Sequence, residues 1–311
     1  MRDYDPELEA FKSRIDLREF AAYRGYELDR KESWRGSAVM RHANGDKIII
    51  KRDTDDHYVY FSVRDDRDNG SIIDFLQRRE RLTLGGVRVE LREWLQEDYR
   101  EKRPVQAFLP LQPTAKDRMV VETAYARMRE ADRHPYLEDE RKIPLAVLQD
   151  ARFLGRVRID MRGNAVFPHF DLQGLCGYEL KNRGFTGFAK GGEKGLWWSH
   201  ARAGDTRLVF AESAIDALSY HVLHPDPSTR YASIGGKPNP VQPELIKAAI
   251  CKMPAGAEII SAMDADDDGR TLAGMVEAAM QETDRADITF RRDEPLEAKD
   301  WNDALRSLSR P

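Results

Sequence analysis

From about residue 205 onward, short apolar runs alternate with helical patterns along the chain. The runs LVFA, YASI, EIISAM and ITFRR are each followed by a segment whose apolar residues recur at helical spacing. Parallel strands need a long crossover between them, and a helix usually supplies it. The alternation therefore predicts a Rossmann-like α/β domain at residues 205–311, a parallel sheet with helices on both faces.

The acidic residues of this domain fall just beyond the predicted strands. Glu212 follows LVFA directly, and Asp216 lies four residues further on, which is the same face of a helix. Asp264 and Asp266 follow EIISAM, where alternate residues of an extended segment point the same way. Asp268 lies in the same segment as Asp266, and Asp300, Asn302 and Asp303 come after the last strand, in KDWND. Ligands of an open parallel sheet collect at the carboxyl ends of its strands, so we expect a site there.

Carboxylates in this position favour Mg²⁺ or Mn²⁺, which are held by a few acids together with water and substrate phosphates. Two such ions about 4 Å apart are a standard arrangement for in-line phosphoryl transfer. Simpler interpretations stay open, since a Glu after a strand is common at helix starts and MDADDDG is compatible with a solvated acidic turn. A calcium loop is disfavoured because Met275 stands at the twelfth position, where such a loop needs Glu.

Length and composition limit the remaining classes. The 311 residues predict two or three domains. A net charge of −4 means that any nucleic-acid surface must be a local basic patch. Cys176 and Cys251 are far apart, so we expect no zinc site and no disulfide framework. No stretch approaches the roughly 20 apolar residues of a membrane span, and the N-terminus lacks a signal-peptide core. We expect a cytoplasmic protein without membrane contact.

The chain before residue 205 is predicted to form three segments. Residues 1–100 form a small α+β unit, with three strand-like runs between residues 36 and 63 and two helices after them. Residues 101–117 are charged and then proline-bearing, as in a linker. Residues 118–204 contain a helix followed by two strands that join in a hairpin.

Four motifs in order resemble the Toprim domain of bacterial (DnaG-type) primases and topoisomerases. They are LVFAESAIDALS, SIGG, MDADDDG and KDWND. The resemblance implies a magnesium site with Glu212, Asp264 and Asp266 as core ligands. It implies that Asp216 and Asp300 are second-site acids, with Asp268 close by. Asn302 stands where the family has a second late acid, which weakens that contact or transfers its role to Asp303.

The similarity to primases extends upstream of this domain. Residues 164–184 resemble a primase hairpin that ends in basic residues, and FAKGGEKGLWWS resembles the segment that leads into the Toprim core. The resemblance implies phosphate contacts of nucleotide or template from Lys181, Arg183, Lys190, Lys194 and Lys237. A solvated basic hairpin is the alternative. Trp197 and Trp198 are interpreted as core or interface residues rather than base-stacking platforms.

The N-terminal segment resembles the zinc-binding domain of primases but contains no cysteine. Only His42 matches a ligand of that domain, so we expect a zinc-free descendant held together by apolar strands. It is expected to contact template through the cations Arg41, Lys51, Arg52 and Arg64. The same motif combination is typical of proteins from plasmids, phages and other mobile elements.

Three functions are compatible with these patterns. The first is a primase-like nucleotidyltransferase that uses single-stranded DNA or RNA and nucleotides, with a replicative helicase or a relaxase as protein partner. The second is a Toprim nuclease, in which the same acids activate water. The third is an accessory protein that binds nucleic acid through a decayed site. A topoisomerase is disfavoured because we find no companion domain with a tyrosine nucleophile.

Overall fold

The computed structural model of the chain describes residues 5–52, 57–65, 68–96, 108–111 and 115–308. It divides into an N-terminal unit, residues 1–115, and a C-terminal unit, residues 116–311. Much of the predicted linker, residues 101–107 and 112–114, lies outside the described residues. Along the described ranges, none of the helices combines the length and apolar character that a membrane crossing requires.

The N-terminal unit packs four helices against one antiparallel sheet. Its elements are α1 (Pro6–Arg14), α2 (Leu17–Tyr23), β1 (Tyr26–Leu28), β2 (Ala38–His42), β3 (Lys47–Arg52), β4 (Tyr58–Ser62), β5 (Asn69–Gly70), α3 (Ile72–Arg79) and α4 (Leu84–Leu95). The strands lie in the order in which they occur in the chain. The predicted strand runs and the two helices after them are therefore present.

An apolar core holds this N-terminal unit together. Phe20, Phe75 and Trp94 are buried at its centre, with edge-to-face ring contacts. His42, which stands where the zinc domain has its histidine, packs its ring against Tyr26 at 5.0 Å between centroids. Successive side chains of β3 point to opposite faces of the sheet, and Ile48 and Ile50 are fully buried on the face that contacts the core.

The C-terminal unit contains two five-stranded sheets. Its elements are α5 (Arg118–Ala126), β6 (Arg129–Glu130), a π-helical turn (Tyr136–Glu140), α6 (Leu145–Gln149), β7 (Arg158–Ile159), β8 (Ala165–Asp171), β9 (Gly174–Asn182), β10 (Phe185–Phe188), β11 (Trp197–Trp198), β12 (Arg207–Ala211), α7 (Ala214–Leu223), β13 (Thr229–Ser233), α8 (Gln242–Cys251), β14 (Glu258–Ala262), α9 (Asp267–Gln281), β15 (Thr289–Arg292) and α10 (Trp301–Leu308). The first sheet, β6–β10, is antiparallel.

The second sheet has the order β11-β13-β12-β14-β15. The last four strands in the chain are parallel, as the alternation predicts. The edge strand β11 is antiparallel to β13, so the sheet is mixed rather than wholly parallel. The reason is that the chain enters this sheet from the hairpin sheet, without the crossover helix that a parallel neighbour requires.

Alternate residues of β12 face the two helical layers. Val209 and Ala211 pack with α7 and α10, whereas Leu208 and Phe210 pack with α8 and α9. The predicted α/β class, with helices on both faces, is confirmed. The first of these two cores also takes in Phe153, Phe167 and Trp197 from the preceding segment, so it crosses the boundary near residue 205.

Candidate functional site

The candidate site lies at the carboxyl ends of β12 and β14. These strands are neighbours with Ala211 opposite Ala262, so the segments that follow them start at the same edge. Glu212 follows Ala211 directly, and Asp264 comes two residues after Ala262. We use the name acid cluster for Glu212, Asp216, Asp264, Asp266, Asp268 and Asp300. The charges of its members act on one another, as the pKa values below show.

Asp216 is buried in the first turn of α7. The Ser213 hydroxyl, which caps this helix, donates to Asp216 Oδ2 at 2.6 Å. The backbone N–H of Asn302 donates to the other oxygen, Oδ1, at 3.1 Å. Burial, and then the negative charge of Asp300, raise the pKa of Asp216 to about 6. The position of this carboxylate is therefore fixed, while its charge remains only partly compensated.

Asp264 has the most strained electrostatic environment of the cluster. Its side chain is 9% exposed, and Oδ1 is buried without a hydrogen-bond partner among the described residues. Burial raises the pKa of Asp264 to about 9, together with the charges of Asp216 and Glu212. Burial and nearby acids likewise raise the pKa of Glu212 to about 7. The fold therefore disfavours the ionised form of these acids, and a nearby cation would favour it.

Asp266 is the N-cap of α9 and differs from its neighbours. Its Oδ1 accepts the N–H of Gly269 at 2.9 Å, and Oδ2 lies 3.1 Å from the Lys299 ammonium. Burial raises the pKa of Asp266, but these two partners outweigh it and the pKa stays below its usual range. Gly269 must remain glycine because a Cβ there would lie 2.0 Å from the carbonyl oxygen of Asp264.

The KDWND segment closes the site from the other side. The N–H of Ala265 donates to the carbonyl of Lys299 at 3.0 Å, which joins the two acidic loops. Asp300 accepts the N–H of Asp303 at 2.7 Å and so caps α10 with one carboxylate oxygen. Asp303 itself pairs with Arg306 on its own helix. Asp300 therefore joins the acid cluster, whereas the Asp303 carboxylate is directed to a partner outside it.

Asn302 is 2% exposed and packs into the interior. Its amide nitrogen donates to the Arg141 carbonyl at 2.7 Å and to the Ser219 hydroxyl at 3.0 Å, and its oxygen lies 3.4 Å from Arg141 Nη1. Its side chain thus ties the π-helical turn to α7 and α10. Its backbone N–H, rather than its side chain, reaches the acid cluster. Asp268 is exposed at the start of α9, and its charge acts on Glu212.

The acid cluster has the carboxylate ligands that a divalent cation prefers, although its side chains do not converge on one point. Among the described residues, no group of three or more acidic, histidine or cysteine side chains is already arranged to hold a metal ion. The orphaned Oδ1 of Asp264 and the raised pKa values of three acids are what such a cation would relieve. Mg²⁺ commonly takes few protein ligands and completes its shell with water and phosphate.

Lys194 lies beside this cluster and holds the middle Toprim-like motif in place. Its ammonium donates to the carbonyl oxygens of Gly235 and Lys237, both at 2.8 Å. The N–H groups of Gly235 and Gly236 in turn donate to the carbonyl of Glu212. Burial lowers the pKa of Lys194, against the opposing effect of Glu179 and Glu212. Lys194 therefore fixes the turn next to Glu212.

Glu179 is a buried acid that the sequence analysis missed. It lies 3.8 Å from the Lys181 ammonium and 3.6 Å from His169 Nε2. Burial opposes its ionisation, but Lys181, His169 and Lys194 lower the pKa of Glu179 below its usual range. A Cβ on Gly235 would lie 2.7 Å from the His169 ring, so the turn packs directly on this group. The clue was the two-residue step to Lys181, which puts both side chains on one face of β9.

The other predicted cations are placed differently. Arg183 is exposed and pairs with Glu140, while Lys190 and Lys237 are exposed. Trp197 is fully buried and donates to the Arg156 carbonyl, in agreement with its interpretation as a core residue. In the N-terminal unit, Arg41 pairs with Asp29 and Glu32.

Comparisons with known proteins agree with this geometry. Residues 209–305 match the family described as Toprim-like. These residues form a Toprim-like domain. Residues 135–206, which carry four of the five strands of the hairpin sheet and part of the shared core, match a family described as a protein of unknown function (DUF3991). The Toprim match covers the whole acid cluster, α7 to α9 and the first part of α10.

Similar solved structures are primase assemblies from bacteriophage T7. The primase fragment of the T7 primase-helicase protein is 18% identical, with 68% of this chain and 81% of that chain covered and a TM-score of 0.38. The primase domains bound to an RNA/DNA hybrid and dTTP, in a complex with T7 lagging-strand DNA polymerase, give 21% identity, 55% and 84% coverage and a TM-score of 0.40. None of the curated proteins compared matches the sequence.

Proposed function

We propose that this protein is a Mg²⁺- or Mn²⁺-dependent, primase-like nucleotidyltransferase. It joins nucleotides on a single-stranded template. The observation that carries the proposal is the acid cluster: Glu212, Asp216 and Asp264 are held together with raised pKa values and incomplete charge compensation. Clustered titratable groups of this kind in a Toprim-like domain are characteristic of a functional site.

The roles of the acids follow from their surroundings. Glu212 and the unpaired oxygen of Asp264 would be the direct metal ligands, because Asp264 Oδ1 has no hydrogen-bond partner among the described residues and burial with neighbouring acids raises the pKa of Glu212. Asp300 uses one oxygen to cap α10 and has a second oxygen to offer. Both oxygens of Asp266 have partners, Gly269 and Lys299, so Asp266 would bind the metal only if Lys299 gave way. A bound Mg²⁺ neutralises charge on the reacting phosphate and lowers the pKa of the attacking hydroxyl.

The lysines beside the cluster favour a nucleotidyltransferase over a nuclease. Lys181 lies beside the Glu179–His169 group, which packs on the turn that follows β13, and Lys194 donates to the carbonyls of that turn. Lys190 and Lys237 are exposed on the segments around that turn. A triphosphate carries more negative charge than one phosphodiester, and several lysines supply the point charges to bind it. A role in the replication or transfer of a mobile element rests on the resemblance of the motifs alone.

The test uses the full chain with single-stranded DNA, nucleoside triphosphates and Mg²⁺ or Mn²⁺. We expect short oligonucleotides from the wild type and from Asp303→Asn, whose carboxylate pairs with Arg306. We expect none from Asp264→Asn. Cleavage of DNA or RNA without synthesis would replace the proposal with a nuclease. Equal heats of metal binding in the wild type and an Asp264→Ala/Asp266→Ala variant would show a decayed site.

A further inference from the structure

A polar cavity lies in the C-terminal unit, away from the acid cluster. It has a volume of about 240 Å³ and is bordered by Tyr125, Glu130, Arg156, Arg158, Phe170 and His200. We call it the arginine cleft. His200 follows β11, where the N–H of Ser199 donates to the carbonyl of Tyr231 near the middle of β13. Because β11 runs antiparallel to β13, the cleft lies towards the end of the sheet opposite to Glu212.

Within the described ranges, the arginines of the cleft form no ion pair with an acid. Among the described residues, no carboxylate lies within 4 Å of the guanidinium of Arg156 or Arg158. The Nε atoms of both are buried without a hydrogen-bond partner. Arg156 Nη2 lies 3.2 Å from His200 Nδ1, and His200 Nε2 lies 2.9 Å from the Leu154 carbonyl. This geometry makes His200 Nε2 the donor and Nδ1 an acceptor for Arg156.

A partly buried charge without a counter-ion is costly, and this cost is visible at the cleft. Burial lowers the pKa of Arg156. Glu130 is the acid that borders the cavity, and it packs against Gly155, where a Cβ would lie 3.1 Å from its Oε1. Two arginines against one glutamate leave the cleft with net positive charge.

Aromatic rings hold the guanidinium groups in position. Arg158 lies 4.3 Å from the ring centroid of Tyr125 and donates to its carbonyl at 3.0 Å. Arg156 lies 5.1 Å from the centroid of Phe170. On the adjacent edge of the sheet, Arg230 stacks over Trp198 at 4.9 Å, and its buried Nε also lacks a partner. Stacking leaves the planar fork of an arginine free to bind an oxyanion.

We propose that the arginine cleft binds backbone phosphates of a single-stranded nucleic acid, with Arg230 as the next contact along the edge. Single-stranded nucleic acids are held by cationic grooves interspersed with aromatic rings, which is the composition found here. Binding at the cleft does not need a metal. The proposal goes beyond the proposed function, since it adds a contact for the strand at a distance from the acid cluster.

The experiment measures fluorescence anisotropy of a labelled oligothymidylate of roughly 16 nucleotides with the full chain in EDTA. We expect Arg156→Gln/Arg158→Gln to weaken binding by about tenfold and to lower the slope of log affinity against log salt by about 1.4, or 0.7 for each lost phosphate contact. Arg156→Lys/Arg158→Lys should retain most of the slope. The matched control Arg202→Gln, which removes an arginine paired with Asp150, should bind like the wild type.

Unchanged affinity and slope in the glutamine variant would overturn the proposal. Competition with tripolyphosphate separates the two sources of phosphate: if it binds the wild type but not the glutamine variant, while the oligonucleotide binds both, the cleft serves free nucleotides and the strand assignment is wrong. The Asp264→Asn variant keeps the two proposals apart, because it should lose synthesis and retain the salt-dependent binding.

Discussion

In the N-terminal unit, Arg79 lies between Asp46 and Asp68 and also donates to the Tyr26 hydroxyl at 2.7 Å. In the C-terminal unit, Asp264 lies among four acids, and no described residue pairs with its buried oxygen. Both groups lie in largely buried surroundings, and each is built from aspartates that loops bring together. The charges of the Arg79 group are balanced without a ligand, whereas those of the acid cluster are not. Balanced charges hold a fold, whereas an imbalance that the fold tolerates marks a place where something binds.

The largest effect is expected from replacing Asp264 in the acid cluster. Asp264→Asn keeps the size of the side chain but removes a metal ligand, so synthesis should fall by about 10³-fold or more, since a metal supplies several kcal/mol of transition-state stabilisation. The same variant should melt at a higher temperature in EDTA at alkaline pH, because there the wild-type carboxyl loses its proton among the other acids while the amide stays neutral. A rate assay and thermal melts measure the two effects, and a lower melting temperature would contradict the comparison.

Removing charge from the Arg79 group should instead lower stability. Arg79→Met leaves Asp46 and Asp68 uncompensated and should destabilise the N-terminal unit by about 3 kcal/mol. Urea denaturation, followed by hydrogen exchange of peptides from each unit, measures the loss. Arg92→Met, which removes a more exposed ion pair with Glu7, is the control and should leave the midpoint unchanged. Equal effects of the two variants would show that the Arg79 group is not structural.

A smaller effect is expected when an acid is restored at the late motif. Asn302→Asp replaces an amide that donates to Arg141 and Ser219 with a group that does not donate when ionised. The unpaired carbonyl of Arg141 should cost about 2 kcal/mol of stability. We expect no gain in metal binding, measured by calorimetry with Mn²⁺. Tighter binding would show that the side chain turns toward the acid cluster.

The smallest effect is a difference in the pH response of the metal-free protein. The pKa of Asp264, about 9, and of Glu212, about 7, lie above their unfolded values. The folded chain therefore holds protons that the unfolded chain releases, and stability falls as the pH rises from about 4 toward 9. The pKa of Asp46 is lowered, so its contribution is present above about pH 4 and is lost as the pH falls.

Hydrogen exchange in EDTA across this range distinguishes the two units. Protection of peptides around Asp264 should fall at alkaline pH and be restored by Mg²⁺, while protection around Asp46 should fall in acid. Asp264→Asn should flatten the alkaline response. A response that is the same in wild type and variant would assign it to other groups.

The spacing of apolar residues along the sequence predicted the α/β domain and the strand ends at which the acids lie. It worked because Leu208 and Val209 belong to a strand buried on both faces, and such strands are continuous apolar runs. It did not predict the antiparallel β11, because a two-residue strand carries no period. Pairing with Ser233 and Ala232 defines that strand, and sequence pattern does not show such tertiary contacts.

The candidate site was predicted in part. The identities of Glu212, Asp264 and Asp266 followed from their position after strands, and whether they bind metal stays a prediction. The pairing of Lys299 with Asp266 and the burial of Asn302 depend on how α10 docks. Arg156, Arg158 and Arg230 were also missed, because they are separated in sequence and gain a common surface only when β11 joins β13.

The shared core around Trp197 has a consequence for how such chains arise. The two family matches meet between residues 206 and 209, yet the side chains on either side of that seam interdigitate. Recombination between residues 206 and 209 would join two segments whose core side chains do not fit each other. Trp197 would then pack against a surface of the wrong shape. We therefore expect the two segments to be inherited as one piece, and exchange of functional parts to occur at the ends of that piece.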